Sequence, residues 1–345
     1  MRAAGSPRQP GVGQNQAMPS GGTEPTMVPG YTHIPGHHCG STALRNLLGF
    51  HGVEISEEMA FGLGAGACLY YVTIEGTSPS RWFNGRTARL EESFRDLTGA
   101  ALEMRTFEQG DGGAWEAARA EVDAGRPALL LTDLYYLDHY GRSAHFPGHA
   151  VVLAGYDDEV AHLSDTGFEE LQTTRLESLE KARHSDHPAY HLAGHMFTVA
   201  GDADAEQLRA AAPRAIEQAA REMLEPSIQG GFAGMPAVRR LAGEAGSWPE
   251  ATEDWQWCAR FGYQVIERRG TGGGAFRLMY SRFLEEAGRP EAPLAAEASA
   301  RWTELASAFH AASEREDPDP ALWRQIDAAA GHVAEAEERL WTSLG

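Results

Sequence analysis

Residues 37–48 read HHCGSTALRNLL, a stretch that places Cys39 at the start of a predicted helix. Four apolar residues recur on one face of a 3.6-residue period, namely Ala43, Leu44, Leu47 and Leu48. The first N–H groups of a helix lack intrahelical acceptors, and the helix dipole favours negative charge there. Such a position stabilises a thiolate, which is the nucleophilic form of cysteine. The pattern therefore predicts a cysteine nucleophile, and the alternative is a small buried hydrophobic residue.

The composition is typical of a globular protein. The chain has 345 residues, of which 42% are hydrophobic and 23% charged, and this length is sufficient for two domains. We find no apolar run long enough to span a membrane and no signal-peptide pattern at the N-terminus. The three cysteines lack CxxC spacing, which suits a reducing cytoplasm better than a disulfide framework.

The net charge of −20 limits the kinds of partner. Phosphate binding requires basic patches, so we expect no nucleic-acid partner. A cationic small molecule would be attracted to such a surface. The alternative is that the charge serves solubility alone.

The order of the elements predicts an α+β domain followed by a helical domain. We expect disorder over 1–28, a catalytic domain over 29–203 and a helical domain over 204–345. Helices are predicted at 86–98, 115–124 and 169–182, and strands at 69–74, 127–133, 150–156, 160–165 and 195–199. Helices of the C-terminal part are predicted at 205–225, 235–245, 253–267, 276–287, 294–314 and 320–341.

His149 is the best-placed base for the cysteine. It follows Pro147-Gly148 at the start of a buried strand, where a rigid element holds it at the edge of a cleft. The next strand ends at Asp165, and hairpin geometry brings that carboxylate back beside the His149 strand. A cysteine, a histidine base and an orienting carboxylate form a nucleophilic triad.

An oxyanion would be stabilised by the backbone N–H of Cys39 and one side-chain donor upstream. His33 is the first candidate for that donor, and His38, Tyr31 and His37 are alternatives. For all of them the simpler interpretation is loop polarity.

Four further histidines have spacings of three, four and four residues, namely His184, His187, His191 and His195. On one helical face they would suit a metal. Pro188 and Gly194 interrupt such a helix, so we expect no metal site. Cys68 and Cys258 have no companions and are interpreted as core residues.

Several separated motifs resemble the butirosin-biosynthesis acyltransferase family. In the N-terminal half they are residues 38–48 (HCGSTALRNLL), 61–66 (FGLGAG) and 148–156 (GHAVVLAGY). In the C-terminal half, residues 230–241 (GGFAGMPAVRRL) and 272–284 (GGGAFRLMYSRFL) are similar to the helical domain usually found behind it. A further helix is predicted to begin after Ser56, its N-cap, with Glu57 and Glu58 in the first turn and Gly62 as its C-cap. The glycines of 62–66 therefore follow a helix rather than a strand, so they do not predict a phosphate loop.

The resemblance implies a papain-like fold, related to bacteriocin-processing peptidases, with Cys39, His149 and Asp165 as its triad. It implies transfer of an acyl or aminoacyl group from the phosphopantetheine thioester of an acyl carrier protein to an amine of an aminoglycoside, with no permanently bound cofactor. A basic patch for the carrier protein would comprise Arg239, Arg240, Arg268, Arg269, Arg277 and Arg282, and the alternative for each is a surface ion pair.

Three functions therefore compete. The first is an amide-forming acyltransferase, the second a peptidase or thioesterase of the same fold, and the third a partner-binding module without catalysis. Transfer to an amine rather than to water separates the first two, and formation of an acyl-enzyme separates both from the third.

Overall fold

The computed structural model describes residues 24–345 apart from positions 100, 101, 111, 143, 188, 189, 202, 203 and 229. The N-terminal part contains, in chain order, β1 (Thr26–Met27), α1 (Cys39–Phe50), α2 (Glu57–Leu63), β2 (Ala67–Thr73), β3 (Arg81–Arg86), α3 (Leu90–Thr98), β4 (Leu102–Arg105), α4 (Gly113–Asp123), β5 (Ala128–Asp133), β6 (Pro147–Tyr156), β7 (Val160–Ser164), β8 (Gln172–Arg175), α5 (Leu176–Arg183) and β9 (Met196–Val199). The C-terminal part contains α6 (Ala205–Ala210), α7 (Ala212–Leu224), α8 (Gly234–Glu244), α9 (Trp248–Ala251), α10 (Trp255–Glu267), α11 (Arg277–Glu286), α12 (Ala292–Ser313) and α13 (Pro320–Leu344).

An antiparallel sheet organises the N-terminal part. Its strand order is β4-β9-β5-β6-β7-β8, and β1 pairs with β6. The predicted class, an α+β region with an antiparallel sheet followed by a mainly helical region, is confirmed. Among the described helices, none has the length and hydropathy of a membrane-spanning segment.

Both faces of the central strands are buried. Leu129 and Leu131 of β5 belong to the core that contains the apolar face of α1, whereas Leu130 belongs to a second core with α4 and α5. Successive side chains of a strand point to opposite faces, so a continuous apolar run is what a strand covered on both sides requires. The sheet thus lies between α1 on one face and α4 and α5 on the other.

A hairpin of β2 and β3 joins the two parts of the chain. It forms its own two-stranded sheet, and the Tyr71 N–H donates to the Phe232 carbonyl at 3.0 Å. The Phe83 ring lies 6.2 Å from the Trp302 ring of α12. The hairpin is therefore packed into the helical part although it precedes most of the large sheet in sequence.

A buried ion pair fixes this junction. Arg277 binds Glu337 at 2.7 Å and 3.0 Å, and its Nη1 donates to the carbonyls of Cys68 and Gly85 at 2.8 and 2.7 Å. The same carboxylate accepts the indole N–H groups of Trp302 and Trp341. Both charged side chains are fully buried, and a buried pair requires such a complete set of hydrogen bonds.

The glycines of the 61–66 segment allow close packing. A methyl group at Gly62 would collide with the Phe283 ring of α11, and one at Gly64 would collide with Leu90. Glycine removes the Cβ where two elements approach closely. Helix α2 ends at Leu63 with Gly64 as its C-cap, so the prediction that Gly62 is the cap is wrong by two positions.

Three other local predictions are wrong. The predicted helix at 86–98 begins only at Leu90 and follows strand β3, and the one at 169–182 is strand β8 followed by α5. The missed strands, β3 and β8, are short and have no strong alternation of apolar and polar residues. They are stabilised by pairing with β2 and β7, respectively. Residues 1–23 lie outside the described part, but 26 and 27 of the segment predicted as disordered form β1.

Replacing Arg277 with Met tests the buried ion pair. The variant leaves the Glu337 carboxylate buried without its cation, so we expect the free energy of unfolding to fall by about 3–5 kcal/mol, measured by urea denaturation. The matched control is Arg239→Met, which breaks the exposed pair with Glu338 and is expected to cost about 0–1 kcal/mol. Equal losses in both variants would contradict this account of the junction.

Candidate active site

Cys39 is the first residue of α1. His38 is the N-cap, with extended backbone angles, and its Nδ1 accepts the Ser41 N–H at 3.3 Å. The helix begins here because this ring satisfies one of the N–H groups that the first turn leaves free. The residue Cys39 is 9% exposed, so it is almost completely buried.

His149 lies beside the Cys39 thiol, and Asp165 lies beside His149. His149 is the third residue of β6, and its Nε2–H donates to the Asp165 carboxylate at 3.0 and 3.1 Å. The same ring is hydrogen bonded to the Cys39 thiol. Because Nε2 faces the carboxylate, the other ring nitrogen is left for the sulfur, which is the arrangement of a nucleophile, a base and an orienting group.

The charges of these three groups stabilise an ion pair. Burial raises the pKa of the Cys39 thiol, but the neighbouring His38 and His149 rings outweigh burial and hold this pKa well below its ordinary value. Burial would lower the pKa of His149, but Asp165 and the thiolate raise it to about 10. The resting state is therefore a Cys39 thiolate beside a His149 imidazolium.

Two residues that the sequence did not reveal hold Asp165. The carboxylate accepts the His139 Nε2–H at 2.9 Å and the Tyr140 hydroxyl at 3.2 Å. Burial opposes the charge of Asp165, but His149 and His139 keep its pKa below the ordinary range. The two residues lie in a short 3₁₀ helix, Asp138–Tyr140, between β5 and β6, where no periodic pattern points to a partner.

Glu57 fixes the turn that precedes the cysteine. Its buried carboxylate accepts the N–H of His37 at 3.0 Å and that of His38 at 2.7 Å. A methyl group at Gly36 would lie 2.6 Å from Glu57 Oε2, so the close approach requires glycine. The sequence pattern indicates only an acidic first turn of α2, with Ser56 as its N-cap, and that cap is present.

The four oxyanion candidates occupy different places. Both ring nitrogens of His33 are engaged, at 2.7 Å with Ser164 Oγ and 2.8 Å with the Phe168 carbonyl, so it has no N–H left for an oxyanion. Tyr31 is half-buried near Ser164, and loss of solvent around its hydroxyl raises its pKa. His37 contributes its backbone N–H to Glu57.

His38 is the candidate that contacts the thiol. Its Nδ1 accepts an N–H, so the proton of the neutral ring lies on Nε2, which is buried, and the ring is also hydrogen bonded to the Cys39 thiol. Burial lowers the pKa of His38, and a neutral ring can only donate from that atom.

The helical part contributes a wall of the site. Phe276, which has a left-handed φ of 70°, stacks on Phe61 at 5.6 Å, and both rings contact the edge of His38. A Cβ on Gly270 would lie 2.7 Å from the His37 carbonyl. The loop before α11 thus presses against the turn that carries the cysteine.

The arginine patch predicted for a carrier protein is corrected at Arg277. That side chain is fully buried in its pair with Glu337, so it cannot meet a partner. Arg239, Arg240 and Arg282 form ion pairs with nearby glutamates.

The four histidines of the 184–195 segment do not share a helix. His184 caps α5, His187 stacks on His145 at 4.7 Å, and His195 accepts the Ala193 N–H at 3.2 Å. Of the other cysteines, Cys68 and Cys258 are buried.

Two family models match the chain. Butirosin biosynthesis protein H, N-terminal, covers residues 38–166 and so contains all three triad positions. Domain of unknown function (DUF4872) covers residues 177–344. No curated protein matches the chain.

The pH dependence of Cys39 alkylation tests whether the sulfur is a thiolate. Iodoacetamide should label Cys39 at pH values below the ordinary range of a thiol, because the His38 and His149 rings lower the pKa of the sulfur. In His149→Ala one of these two rings is absent, so the pKa of Cys39 rises and the labelling profile moves to higher pH. Peptide mass spectrometry between about pH 4 and 9 measures both profiles. Cys68 and Cys258, whose pKa values burial raises, are internal controls, and equal labelling of all three thiols would contradict the ion pair.

Proposed function

We propose that this chain, in which a domain matching butirosin biosynthesis protein H, N-terminal, is followed by a DUF4872 domain, is a cysteine-dependent acyltransferase that forms an amide. The observation that carries the proposal is the Cys39 thiol held between His149 and His38, with Asp165 behind His149. A cysteine at the start of a helix and a base on an antiparallel sheet also support a papain-like fold for the N-terminal part.

In the first half-reaction, the Cys39 thiolate attacks the carbonyl carbon of an acyl thioester. The resulting oxyanion is stabilised by the Cys39 backbone N–H and by the Nε2–H of His38. The carbon–sulfur bond of the donor then breaks, and the His149 imidazolium gives its proton to the leaving thiolate. The acyl group is now bound to Cys39, and His149 is neutral.

In the second half-reaction, an amine attacks the acyl-enzyme. Neutral His149 accepts a proton from the attacking nitrogen, the amide carbon–nitrogen bond forms, and the Cys39 thiolate leaves. The thiolate–imidazolium pair is restored, as ping-pong acyl transfer requires.

The donor that we propose is an acyl or aminoacyl thioester on the phosphopantetheine arm of a carrier protein, or a CoA-type thioester. A thiol that is 9% exposed is reached more readily by a thin, flexible arm than by a folded peptide chain. The acceptor that we propose is a small cationic amine such as an aminoglycoside, in keeping with the net charge of −20.

Intact-mass spectrometry tests the proposal. Incubation with the acetyl thioester of N-acetylcysteamine should add one acetyl group to the wild-type chain and none to Cys39→Ala. An added amine should then discharge the adduct as an amide faster than water does. Cys39→Ser is the folding control, because it should melt at the wild-type temperature.

Three results would decide against the acyltransferase. An adduct that water removes at the same rate with and without amine identifies a hydrolase. No adduct on the wild-type chain, or one that survives Cys39→Ala, removes the catalytic cysteine. A large fall in melting temperature in Cys39→Ser with activity intact makes the cysteine a core residue.

A further inference from the structure

A buried carboxylate lies against the first turn of α1. Glu91 is the second residue of α3 and is 5% exposed. Its Oε1 is so close to the backbone of Gly40, the residue after the nucleophile, that a methyl group there would collide with it. The charge of the Cys39 thiolate also acts on Glu91.

Glu91 lacks the partner that a buried carboxylate needs. Its neighbour Glu92 accepts the Arg89 Nε–H at 2.8 Å and the Tyr190 hydroxyl at 3.2 Å. Among the described residues Glu91 forms no ion pair: its carboxylate is hydrogen bonded to its own backbone N–H, and the Arg86 guanidinium acts on it only through its charge. Burying a charge without a counter-ion is costly, so this carboxylate is a site for a cation or a proton.

The electrostatics agree with that geometry. Burial and the Cys39 thiolate raise the pKa of Glu91 to about 7, and the guanidinium of Arg86 opposes the rise. Burial is the larger cause and persists when Cys39 is acylated and its charge is gone, so the pKa of Glu91 stays above the ordinary carboxyl value at that step and the group can accept a proton.

We propose that Glu91 binds the ammonium group of the acceptor and removes its first proton, which makes Glu91 a catalytic residue of amide formation. The inference rests on the proposed acyltransferase function and specifies its acceptor as a primary alkylammonium ion.

The proton count explains why a second base is needed. An ammonium nitrogen carries three protons, and the amide nitrogen keeps one. Neutral His149 accepts one of the other two, so one remains. For a group with the basicity of a lysine side chain, only about one molecule in 10³ is unprotonated at neutral pH.

The step balances as follows. The ammonium gives a proton to the Glu91 carboxylate and becomes a free amine. Its lone pair attacks the carbonyl carbon of the Cys39 thioester, His149 takes the second proton, and the carbon–sulfur bond breaks to release the thiolate. Glu91 then loses its proton to solvent, so the net products are the amide, the resting ion pair and one proton.

Glu91→Gln tests the inference because it keeps the size of the side chain and removes its basicity. Acetyl-enzyme is prepared with acetyl N-acetylcysteamine and discharged with 1,3-diaminopropane, which is cationic at neutral pH, or with hydroxylamine, which is not. We expect acylation and discharge by hydroxylamine at wild-type rates, and discharge by diaminopropane about 10²-fold slower. Asp96→Asn is the matched control, since it removes an exposed carboxylate of the same helix and should leave all three rates unchanged.

If Glu91→Gln slows discharge by diaminopropane and by hydroxylamine equally, or slows neither, Glu91 does not have the proposed role. The proposed function would still stand in that case, because the acyl-enzyme forms. Failure of the wild-type chain to form an acyl-enzyme would instead remove the proposed function. If Glu91→Gln does not fold, Glu91→Asp keeps the charge at a shorter reach, and it must slow diaminopropane more than hydroxylamine.

Discussion

The buried pair of Arg277 and Glu337 is the interaction on which the rest of the structure depends. One guanidinium holds the carbonyls of the β2–β3 hairpin and a carboxylate of the last helix, so it joins elements from both parts of the chain. Arg277 begins α11, and the residue before it is Phe276, which packs on His38. This interaction thus fixes the β2–β3 hairpin, the helical part and the turn before Cys39 relative to one another.

The site is made from many elements, each of which contributes one side chain. The nucleophile comes from α1, the base from β6, the orienting carboxylate from the end of β7, and the group that anchors the turn from α2. Opposing effects act on Cys39, His149 and Asp165: burial disfavours the charge of each, and a neighbouring group of opposite charge restores it. The result is charge separation that is stable at rest and is neutralised during acylation.

The sequence predicted those parts of the site that follow from local geometry. A cysteine before an apolar helical face and a histidine at a strand start are local features, and the hairpin relates Asp165 to His149 through a known register. Glu57, Glu91 and His139 could not be found in this way, because each acts on a residue at least 19 positions away with no period connecting them. The prediction of Arg277 as a surface residue was wrong for the same reason, because its partner Glu337 lies 60 positions further along the chain.

The left-handed backbone at Phe276 has an evolutionary consequence. Its ring supports the histidine beside the nucleophile, yet it lies in the region matched by the second family model, whereas the triad lies in the first. Exchange of the C-terminal region between homologous proteins, or its loss by truncation, would therefore alter the wall of the reaction centre. The two regions can therefore be exchanged independently only if the 270–276 loop and the turn before Cys39 are inherited together.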